Sequence, residues 1–594
     1  MAAIKYSDLI SQWLVELGYE SCFSLGGGNI MHLAESVSQK IKLIPVVNEV
    51  AAGIATEYYT ETGAGKKAFA LVTAGPGLTN IITAIAGAYQ ESRELLVIGG
   101  QVKTADLSNG LLRQRGIQEI DGVRLVESIT KKSIRLLKPV TKNEFFNIVK
   151  TGWTPRKGPV FIEIPLDVQG AIVNADELNV LDDNENISET KNNIDTACGK
   201  IISLLKDAKR PIVLLGGGVD RAISQQIGHA GFVGLALPVM TTWNGADRIG
   251  SEHPYYFGRP NTWGQRYSNI LIQQADLIIA LGTRLGLQQT GFNWQEFAVN
   301  GKVIQVDCDQ AELDKGHPNI YLGICDDANQ ILLNLSKQFK ADIPEWLTYC
   351  NMVKRELPIV ENCNEVFDGY LSPYTFLDQM SRLCTNNDVV IPCSSGSAFT
   401  ASLQIFQQKF GQYLVTNKSL ASMGYGLGGA IGAALANPQK RTVLFEGDGG
   451  FSQNLQELGT AKINQLNLKI FIFDDQGYAS IRMTQRSYFA GRYVGCDIKT
   501  GVGLPNFDKL FSVYDIPVLR IYPGFENDPE FLAAFNGSDL YAFLVTINPE
   551  QTYFPKITSR VLENGSMASN PLHKMTPELP DTIYQKVTQY LTKN

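Results

Sequence analysis

Apolar runs typical of β-strands alternate along this chain with segments that have helical periodicity. In the region 441–485, an apolar run at 443–445 stops at a glycine-rich segment, a helical pattern follows, and a second apolar run spans 468–473. In a strand–helix–strand unit the two strands are parallel, and their carboxyl ends share one edge of a sheet. Asp448 and Asp475, which follow these two strands, are therefore predicted to lie at that edge.

The same alternation recurs in the rest of the chain. Strands that alternate with helices and end in glycine-rich turns are typical of open α/β sheets, in which ligands bind along the carboxyl ends of the strands. The pattern predicts an α/β protein with doubly wound, mostly parallel sheets. The further strand-like runs are at 41–47, 68–72, 94–98, 158–165, 211–215, 276–281, 303–306 and 389–392.

The length of the chain predicts several domains. At 594 residues it is too long for one hydrophobic core, and three domains of about 150–200 residues are expected. The segment 173–195, rich in Asn, Asp and Glu, is predicted to be an exposed linker. A second linker is predicted at about 338–372, before the third domain. The predicted units are residues 1–172, 196–338 and 370–550, followed by a polar tail at 551–594 that is expected to lie over the cleft.

Composition excludes several classes of protein. The chain is 44% hydrophobic and 19% charged, which is ordinary for a globular protein. Its net charge of −7 and the absence of Lys/Arg runs argue against a nucleic-acid partner. The sequence shows no signal-peptide pattern, no long apolar span and no Cys-x-x-Cys pair. We therefore expect a cytoplasmic protein without a membrane segment, zinc site or disulfide framework.

The glycine-rich segment that follows residues 443–445 predicts a site for a metal and a phosphate. Asp448 and Asp475 supply two carboxylates without nearby Cys or His, which favours Mg²⁺ or Ca²⁺ over zinc. Gly447, Gly449 and Gly450 leave the backbone accessible, so N–H groups at a helix start can approach a phosphate. We predict a cation bridged to a diphosphate. The alternative is an ordinary strand-to-helix turn that Asp448 caps.

This region resembles the thiamine diphosphate (ThDP) motif, in which Gly-Asp-Gly is followed, after a helix and a strand, by Asn-Asn. Here Gly447-Asp448-Gly449 is followed by Asp474-Asp475, so a carboxylate stands in place of the usual amide. The resemblance implies that Asp448, Asp475 and the backbone carbonyl of Gly477 bind Mg²⁺. Because Asp475→Asn restores the family's usual ligand, that variant is expected to keep its activity.

The segment Asn48-Glu49-Val50-Ala51-Ala52-Gly53 resembles the one that carries the catalytic glutamate of ThDP enzymes. From the residues alone, an acid at a helix N-terminus is an equally good interpretation of Glu49. The resemblance implies that the Glu49 carboxyl group hydrogen-bonds the aminopyrimidine ring and promotes loss of a proton from the thiazolium ring. The cofactor supplies the electron sink, and the protein orients it.

Other positions match motifs of the acetohydroxyacid synthase-like branch of this superfamily. Gln118, in Gly116-Ile117-Gln118-Glu119, resembles a glutamine that lines the reaction pocket, with a surface-loop glutamine as the alternative. Met423 resembles the methionine that holds the cofactor in its bent shape, with core filling as the alternative. The resemblance implies a cofactor-binding set of Gly27, Gly28, Gly75, Ser395, Gly396, Ser397, Ser422, Met423, Gly447, Gly449, Gly450, Gly477, Tyr478 and Ala479.

The middle of the chain resembles a domain that often holds FAD without a redox role in this branch. The segment 282–291 matches an arginine-rich loop, but Arg284 is the one arginine that remains and Gln288 replaces the other. The triplet at 216–218 lacks the Gly-x-Gly-x-x-Gly spacing of a dinucleotide site. FAD is therefore a possible third cofactor.

The chain resembles the large subunit of acetohydroxyacid (acetolactate) synthases over roughly residues 5–550. Three departures from the pattern of those synthases concern the substrate. Leu166 and Gln288 replace cationic residues, and Thr484 replaces a large tryptophan ring. The pocket is expected to be wider and less suited to an acidic acceptor. The glycine loop at 26–33 and the tail also look similar to homologues of bacterial surface-sugar pathways, some of which transfer an acetyl unit to a nucleotide-linked keto-sugar.

The resemblance as a whole implies a ThDP- and Mg²⁺-dependent carboligase. Such an enzyme decarboxylates pyruvate or a similar 2-oxo acid and transfers the acyl carbanion to a carbonyl acceptor, for which a nucleotide-linked keto-sugar is a candidate. The alternatives are an acetolactate synthase, a simple 2-oxo acid decarboxylase and a non-catalytic cofactor-binding homologue. The resemblance also implies a homodimer or homotetramer with active sites at the subunit interface.

Overall fold

The computed structural model describes residues 3–180, 194–561 and 565–591. Most of the first predicted linker, at 181–193, lies outside the described residues. The described parts form three α/β domains and a C-terminal segment. None of the helices in these ranges combines the length and the apolar character that crossing a membrane requires.

The first domain is built around a six-stranded parallel sheet. Its elements are β1 (Ala3–Lys5), α1 (Tyr6–Glu16), β2 (Tyr19–Ser24), α2 (Met31–Ser38), β3 (Lys42–Pro45), α3 (Glu49–Thr62), β4 (Lys67–Val72), α4 (Pro76–Glu91), β5 (Leu95–Gln101), α5 (Gly122–Val126), β6 (Lys132–Arg135), α6 (Lys142–Lys150), β7 (Pro159–Pro165), α7 (Leu166–Gln169), β8 (Ile172–Asn174) and α8 (Ala175–Leu178). The strand order is β3-β2-β4-β5-β7-β6, and β1 pairs with β8 in a separate antiparallel ribbon.

The middle domain has a five-stranded parallel sheet. Its elements are α9 (Ile194–Asp207), β9 (Pro211–Leu215), α10 (Arg221–Leu235), β10 (Val239–Thr241), α11 (Arg266–Ile272), β11 (Leu277–Leu281), α12 (Leu287–Thr290), β12 (Lys302–Asp307), α13 (Gln310–Asp314), β13 (Leu322–Cys325), α14 (Ala328–Gln338) and α15 (Pro344–Glu356). The strand order is β10-β9-β11-β12-β13. Helix α15 occupies much of the segment predicted as a linker at 338–372, because its buried face, including Trp346 and Val353, completes the middle-domain core.

The third domain has another six-stranded parallel sheet. Its elements are α16 (Pro373–Leu383), β14 (Val389–Pro392), α17 (Gly396–Ile405), β15 (Tyr413–Leu414), α18 (Tyr425–Ala436), β16 (Thr442–Gly447), α19 (Asp448–Phe451), α20 (Leu458–Ile463), β17 (Leu468–Asp474), α21 (Ala479–Tyr488), α22 (Phe507–Val513), β18 (Val518–Ile521), α23 (Pro529–Asn536) and β19 (Tyr541–Thr546). The strand order is β15-β14-β16-β17-β19-β18. The prediction of α/β domains with mostly parallel sheets is confirmed.

The first and third sheets share one topology. Counted within its own domain, each sheet has the strand order 2-1-3-4-6-5. The chain builds each sheet outwards from its first strand in both directions, so the strand order reverses beside that strand. In open α/β sheets, ligands bind next to such a reversal, at the carboxyl ends of the strands. In the third domain β16 and β17 are direct neighbours, with Gly447 opposite Phe473. Asp448 and Asp475 therefore follow adjacent strands at one edge, as predicted.

The first and third domains pack together through α3 and α18. Helix α18 is rich in glycine and alanine and is buried on nearly all sides, so the two backbones approach closely. A Cβ atom added at Gly432 would lie 2.1 Å from the Ala55 carbonyl oxygen, and one at Gly429 would lie 2.9 Å from the Tyr58 ring. The glycines of α18 are therefore required by this close packing.

Glu57, on α3, joins the same two domains through buried hydrogen bonds. Its carboxylate accepts bonds from Arg93 at 2.7 Å, from Tyr425 at 2.7 Å and from Asn417 at 3.2 Å. Burial raises the pKa of Glu57, and the Arg93 charge opposes that rise. Arg93 also donates to the Thr416 carbonyl, so one ion pair of the first domain is anchored on the third.

The C-terminal segment packs against the middle domain. It contains β20 (Ser559–Val561), β21 (Met567–Ser569) and α24 (Asp581–Val587). Leu572 and Val587 enter the middle-domain core, and Gln274 donates to the Val587 carbonyl at 2.9 Å. The apolar residues of this part are buried against the middle domain, and the expected position of the tail over the cleft stays a prediction. The first residues of the segment instead pack into the third domain, where Tyr553 is buried.

Candidate active site

The carboxylate of Asp448 is held at the start of α19 by two backbone amides. Its Oδ1 accepts a hydrogen bond from Gly449 at 2.6 Å, and its Oδ2 accepts one from Gly477 at 3.1 Å. Gly477 has a φ of +146°, and a Cβ there would lie 2.4 Å from the Cys496 carbonyl oxygen. Glycine is therefore needed at this position, and two of the predicted metal ligand residues are in direct contact.

Asp475 lies beside Asp448 in the same buried environment. Burial raises the pKa of Asp448 well above its usual range, and the charges of Asp475 and Asp474 raise it further. Burial also raises the pKa of Asp475, to about 7, against the opposing charge of Arg482. Two buried carboxylates of like charge disfavour each other's ionisation, and a divalent cation between them would remove that penalty.

Arg482 is a neighbour of Asp475 that changes one expectation from the sequence. Its Nη2 donates to Asp475 Oδ1 at 3.0 Å and to the Asp475 backbone carbonyl at 2.8 Å. The charges of Asp475 and Arg482 cancel in this ion pair. The pair is therefore neutral, as the asparagine that the family usually has at position 475 would be. Asp475→Asn would therefore leave a buried guanidinium without its carboxylate, and retained activity is no longer the expected result for that variant.

The predicted phosphate-side residues of the third domain converge on the starts of α17 and α21. Ser395 precedes α17, and Gly396 has a φ of +81°. The Ser397 hydroxyl lies 3.3 Å from the hydroxyl of Ser480, in the first turn of α21. Ser422 is connected to this loop, because its backbone carbonyl accepts a hydrogen bond from Ser394.

Met423 and Gly449 have geometries that fit a ligand site. The Met423 side chain is 41% exposed, which disfavours the alternative of a core-filling residue. Its sulfur atom lies 3.6 Å from the amide nitrogen of Gln453. A Cβ added at Gly449 would lie 2.3 Å from the Tyr478 ring. The Tyr478 ring thus packs directly over the glycine loop of the metal site, and the adjacent Ala479 begins α21.

Glu49 begins α3 and is only 4% exposed. Asn80, on α4, donates from Nδ2 to Glu49 Oε2 at 2.9 Å. The helix is capped by the Asn48 side chain, which accepts from the Val50 amide at 3.0 Å. The Glu49 carboxyl group is therefore fixed in a buried position and oriented by an amide side chain.

The other predicted residues of the first domain gather at the ends of β2 and β4. A Cβ added at Gly27 would lie 2.3 Å from the Thr73 side chain. Gly75 has a φ of +64°, and a Cβ there would lie 2.6 Å from the Gln118 carbonyl oxygen. Gln118 is exposed and has a φ of +62°. Gly28 has open space around it. The structure therefore brings Gly27, Gly75 and Gln118 together.

The two groups of residues belong to different domains of the chain. Glu457 connects them, because its carboxylate accepts hydrogen bonds from the amides of Val47 at 3.1 Å and Asn48 at 2.9 Å. Within the described ranges, no direct hydrogen bond joins Glu49 to Asp448. The single chain therefore assembles two half-sites, one at the strand ends of each domain.

Sequence reasoning missed Asn80 and did not place Arg482 at the metal site. Arg482 lies in the first turns of α21, and the non-helical turn at 475–478 that brings it back to Asp475 has no periodicity that would have indicated the pairing. Asn80 follows the glycine turn after β4, but its partner, Glu49, is distant in sequence.

Two buried nitrogen atoms at the predicted metal site lack hydrogen-bond partners within the described ranges. They are Nε and Nη1 of Arg482, whose Nη2 pairs with Asp475. Unsatisfied buried polar groups are costly, so such a cluster fits a polar ligand. The same ranges contain no group of three or more His, Cys, Asp or Glu side chains that could hold a metal. A cation here would need backbone and phosphate oxygens besides the two aspartates.

Family models match all three domains of the chain. Residues 4–125 match the N-terminal thiamine pyrophosphate (TPP, a synonym of ThDP) binding domain of thiamine pyrophosphate enzymes, 198–335 match the central domain, and 394–544 match the C-terminal TPP-binding domain. The chain is 30% identical over 522 residues to the acetolactate synthase isozyme 1 large subunit of Escherichia coli, covering 84% of this chain and 89% of that protein.

Two further relatives also match this chain over most of both lengths. A probable acetolactate synthase large subunit of Methanococcus aeolicus is 28% identical over 552 residues, covering 89% of this chain and 90% of that protein. The acetolactate synthase large subunit of Lactococcus lactis is 29% identical over 541 residues, covering 89% of each chain. The chain belongs to the thiamine pyrophosphate enzymes. Within them, it is an enzyme of the acetolactate synthase large-subunit-like branch.

Proposed function

We propose that this enzyme uses ThDP and Mg²⁺ to decarboxylate pyruvate or a similar 2-oxo acid and to join the acyl unit to a carbonyl acceptor other than a second 2-oxo acid. ThDP, when bound, supplies the electron sink for decarboxylation. The observation that carries the proposal is the buried pair Asp448 and Asp475 beside the glycine loop, where burial and like charge call for a cation.

The residues of the chain have separate roles in this proposal. Asp448, Asp475 and the Gly477 carbonyl would hold Mg²⁺, and the amides at the starts of α17 and α19 would face the diphosphate. Glu49, oriented by Asn80, would hydrogen-bond the aminopyrimidine and hold a proton at its ring nitrogen. Its burial keeps water from competing for that contact.

The proposed choice of acceptor rests on the side chains that stand where the related synthases carry cations and a large ring. Leu166 begins α7, and the neighbouring Asp167 is bonded to Thr104. Thr484 is exposed on α21, and its hydroxyl is turned back to the Ser480 carbonyl at 2.9 Å. These positions offer no charge to a carboxylate, and the threonine is smaller than the tryptophan ring that it replaces. A neutral or nucleotide-linked ketone fits them better.

Acetolactate synthesis is the second candidate function, because the relatives carry that name. The test compares two reactions of the Mg²⁺- and ThDP-loaded enzyme: pyruvate alone, and pyruvate with a panel of neutral and nucleotide-linked ketones. Product masses identify what is made. We expect a higher kcat/KM for a ketone acceptor than for acetolactate formation. The reverse order would replace the keto-sugar proposal with acetolactate synthase.

We also propose that the middle domain binds FAD, which would have no role in electron transfer. Arg284 lies at the junction of the domains, where its Nη2 donates to Ser419 at 2.7 Å. Lys418 lies beside it, and burial lowers the pKa of Lys418 to about 8. Two adjacent cations suit the diphosphate of a dinucleotide. The visible absorption spectrum of the purified protein, before and after denaturation, checks this part.

A further inference from the structure

A cavity of about 430 Å³ lies where the C-terminal segment meets the middle domain. The middle domain lines it with Phe292 and Asn293, and the β20–β21 hairpin lines it with Ser559, Ala568 and Ser569. Binding sites for small molecules have volumes of about 300–1,000 Å³ and occur preferentially at junctions of this kind. None of these five residues belongs to the half-sites that the proposed function assigns to ThDP.

The lining of the cavity combines an aromatic ring with several polar groups. The Phe292 side chain is 58% exposed, so its ring is accessible to a ligand. Asn293 contributes an amide, and the hydroxyls of Ser559 and Ser569, a cross-strand pair of the hairpin, lie 2.7 Å apart. Nucleobases stack on aromatic rings, and their edges form hydrogen bonds with amides and hydroxyls. This set of groups therefore suits a nucleoside.

Lys556, three positions before Ser559, carries a positive charge that has no anionic partner in the described part of the chain. Its ammonium group donates to the Met483 sulfur atom at 3.2 Å and lies 4.8 Å and 5.4 Å from the ring centres of Trp263 and Phe554. A thioether is only a weak acceptor. Burial lowers the pKa of Lys556 to about 8. A phosphate group would supply the strong, charged acceptor that this ammonium lacks.

The contacts of the segment around Lys556 reach two positions at which this chain departs from the related synthases. Met483, which the ammonium contacts, directly precedes Thr484 on α21. The amide of the residue after Lys556 donates to the Thr262 carbonyl at 2.8 Å, and the Thr262 amide donates to the Gln288 carbonyl at 2.9 Å. Three residues of chain span at most about 11 Å, so the same short segment also reaches the cavity.

We propose that the cavity binds the nucleoside of a nucleotide-linked ketone acceptor and that Lys556 contacts the diphosphate of the same molecule. The inference rests on the proposed function, because it names the part of the protein that recognises the acceptor of that reaction. The base stacks on Phe292, and the ketone end extends past Lys556 towards Thr484. The charge of Lys556 serves the phosphate groups, so the ketone itself needs no cation.

The test measures nucleotide binding with Mg²⁺, ThDP and FAD at saturation, so that the proposed cofactor sites are filled. Isothermal titration calorimetry compares UDP, CDP, GDP and dTDP, and ligand-observed NMR then measures the nucleoside of the tightest-binding diphosphate. Phe292→Ala should raise the dissociation constants of both molecules by about 5- to 150-fold, the range for stacking of a base on an aromatic ring. Lys556→Met should raise only that of the diphosphate, by about 10- to 100-fold.

Tyr321→Ala and Lys354→Met are the matched controls. The Tyr321 side chain is 57% exposed in the middle domain and is not among the residues that line the cavity. The Lys354 ammonium group also lies over two aromatic rings. Neither variant should change binding, and a loss equal to that in the test variants would overturn the proposal. Unchanged diphosphate binding in Phe292→Ala or Lys556→Met would also refute it, as would weaker nucleoside binding in Lys556→Met.

This inference and the proposed function can fail separately. A wild-type protein that binds ThDP with Mg²⁺ and uses a simple neutral ketone, but binds none of the tested diphosphates, would overturn this inference alone. If acetolactate formation were the preferred reaction and Lys556→Met reduced its kcat/KM, the lysine would serve a carboxylate, and both proposals would fall.

A measurement on the wild-type protein covers the case in which a variant does not fold. Hydrogen–deuterium exchange is compared with and without the tightest-binding diphosphate, again with the cofactors at saturation. The peptides that contain Phe292 and Ser559 should exchange more slowly with the diphosphate bound, since the ligand ties the two walls of the cavity together. Unchanged exchange in both peptides would contradict the assignment of the cavity.

Discussion

At the scale of single residues, the environment of each carboxyl group determines its role. Glu49 is buried with one amide partner, Asn80, and has no cation beside it in the described hydrogen bonds and ion pairs. Asp448 and Asp475 are buried next to each other and next to Arg482. The first arrangement suits a group that handles a proton, and the second suits metal binding.

Glu49→Gln should bind ThDP with nearly unchanged affinity and lose most of its carboligase activity. The amide fills the same space beside Asn80 but cannot perform the acid–base step, which typically contributes about 10²–10⁴-fold. Calorimetric binding and the rate of product formation at saturating ThDP check this. A loss of activity below about tenfold would show that Glu49 is not the activating acid.

Asp448→Ala should abolish Mg²⁺-dependent binding of ThDP, because it removes a carboxylate that the proposed cation needs. The measurement is a calorimetric titration of ThDP with Mg²⁺ present and after removal of Mg²⁺ with a chelator. The wild-type protein should bind the cofactor only when Mg²⁺ is present. Equal affinity with and without the metal would contradict the assignment of Asp448 and Asp475 as its ligands.

Asp475→Asn should weaken Mg²⁺-dependent ThDP binding, and adding Arg482→Gln should restore part of it. The single change leaves Arg482 unpaired, and breaking a buried ion pair from one side costs about 3–5 kcal/mol. The double variant removes both charges and leaves the neutral ligand that is usual in the family. A Mg²⁺ titration of ThDP affinity in the four proteins of this cycle measures the coupling. Wild-type affinity in Asp475→Asn would refute the role given to Arg482.

At the scale of secondary structure elements, the packing of α3 against α18 fixes the two half-sites relative to each other. Glu49 is the first residue of α3, and Met423 lies two positions before α18. Both helices follow the second strand of their own sheet, so the two domains meet through corresponding elements. Close contact between the helices depends on small residues, because a side chain at Gly432 would meet the backbone of α3.

Gly432→Ala should lower the thermal unfolding midpoint. The new methyl group meets the Ala55 carbonyl, and overpacking of this kind costs about 1–3 kcal/mol. Gly199→Ala is the matched control: Gly199 lies within α9 with no atom within 4 Å of an added Cβ. Alanine there should stabilise slightly, by about 0.5–1 kcal/mol. Both midpoints are measured at one protein concentration, and equal shifts would contradict the packing argument.

At the scale of the whole molecule, the exposed apolar residues beside the half-site of the first domain indicate that two or more copies of the chain associate. Next to Gln118, the side chains of Leu111 and Ile117 are 87% and 85% exposed. Contiguous exposed apolar residues beside a functional site are typical of an interface. We propose, in agreement with the resemblance noted from the sequence, that each active site combines the first domain of one subunit with the third domain of another.

The smallest active species should therefore be a homodimer. Leu111→Asp should shift the sedimentation coefficient towards the monomer and reduce activity most strongly at low protein concentration. Val513→Asp is the control, since Val513 is also exposed, at 79%, but lies at the end of α22, outside the loop next to Gln118. An active wild-type monomer at the assay concentration would disprove the two-subunit site.

The strands, the glycine turns and the two aspartates could be predicted from the sequence, because each depends on neighbours close in the chain. Alternating apolar runs define buried parallel strands, and the residues after β16 and β17 must then share one edge. The resemblance to ThDP enzymes rests on the same local segments, and family membership is confirmed. The proposed roles of the individual site residues remain predictions.

Tertiary structure decided the features that join distant segments. Arg482 is paired with Asp475 because α21 turns back over the metal loop, and Tyr553 enters the core of the third domain from beyond the last strand of its sheet. The buried face of α15, in a segment predicted to be a linker, and Leu572 and Val587, in the predicted polar tail, lie in the middle-domain core. Burial and electrostatic pairing depend on the summed surroundings of a side chain, and those surroundings exist only once the domains have packed.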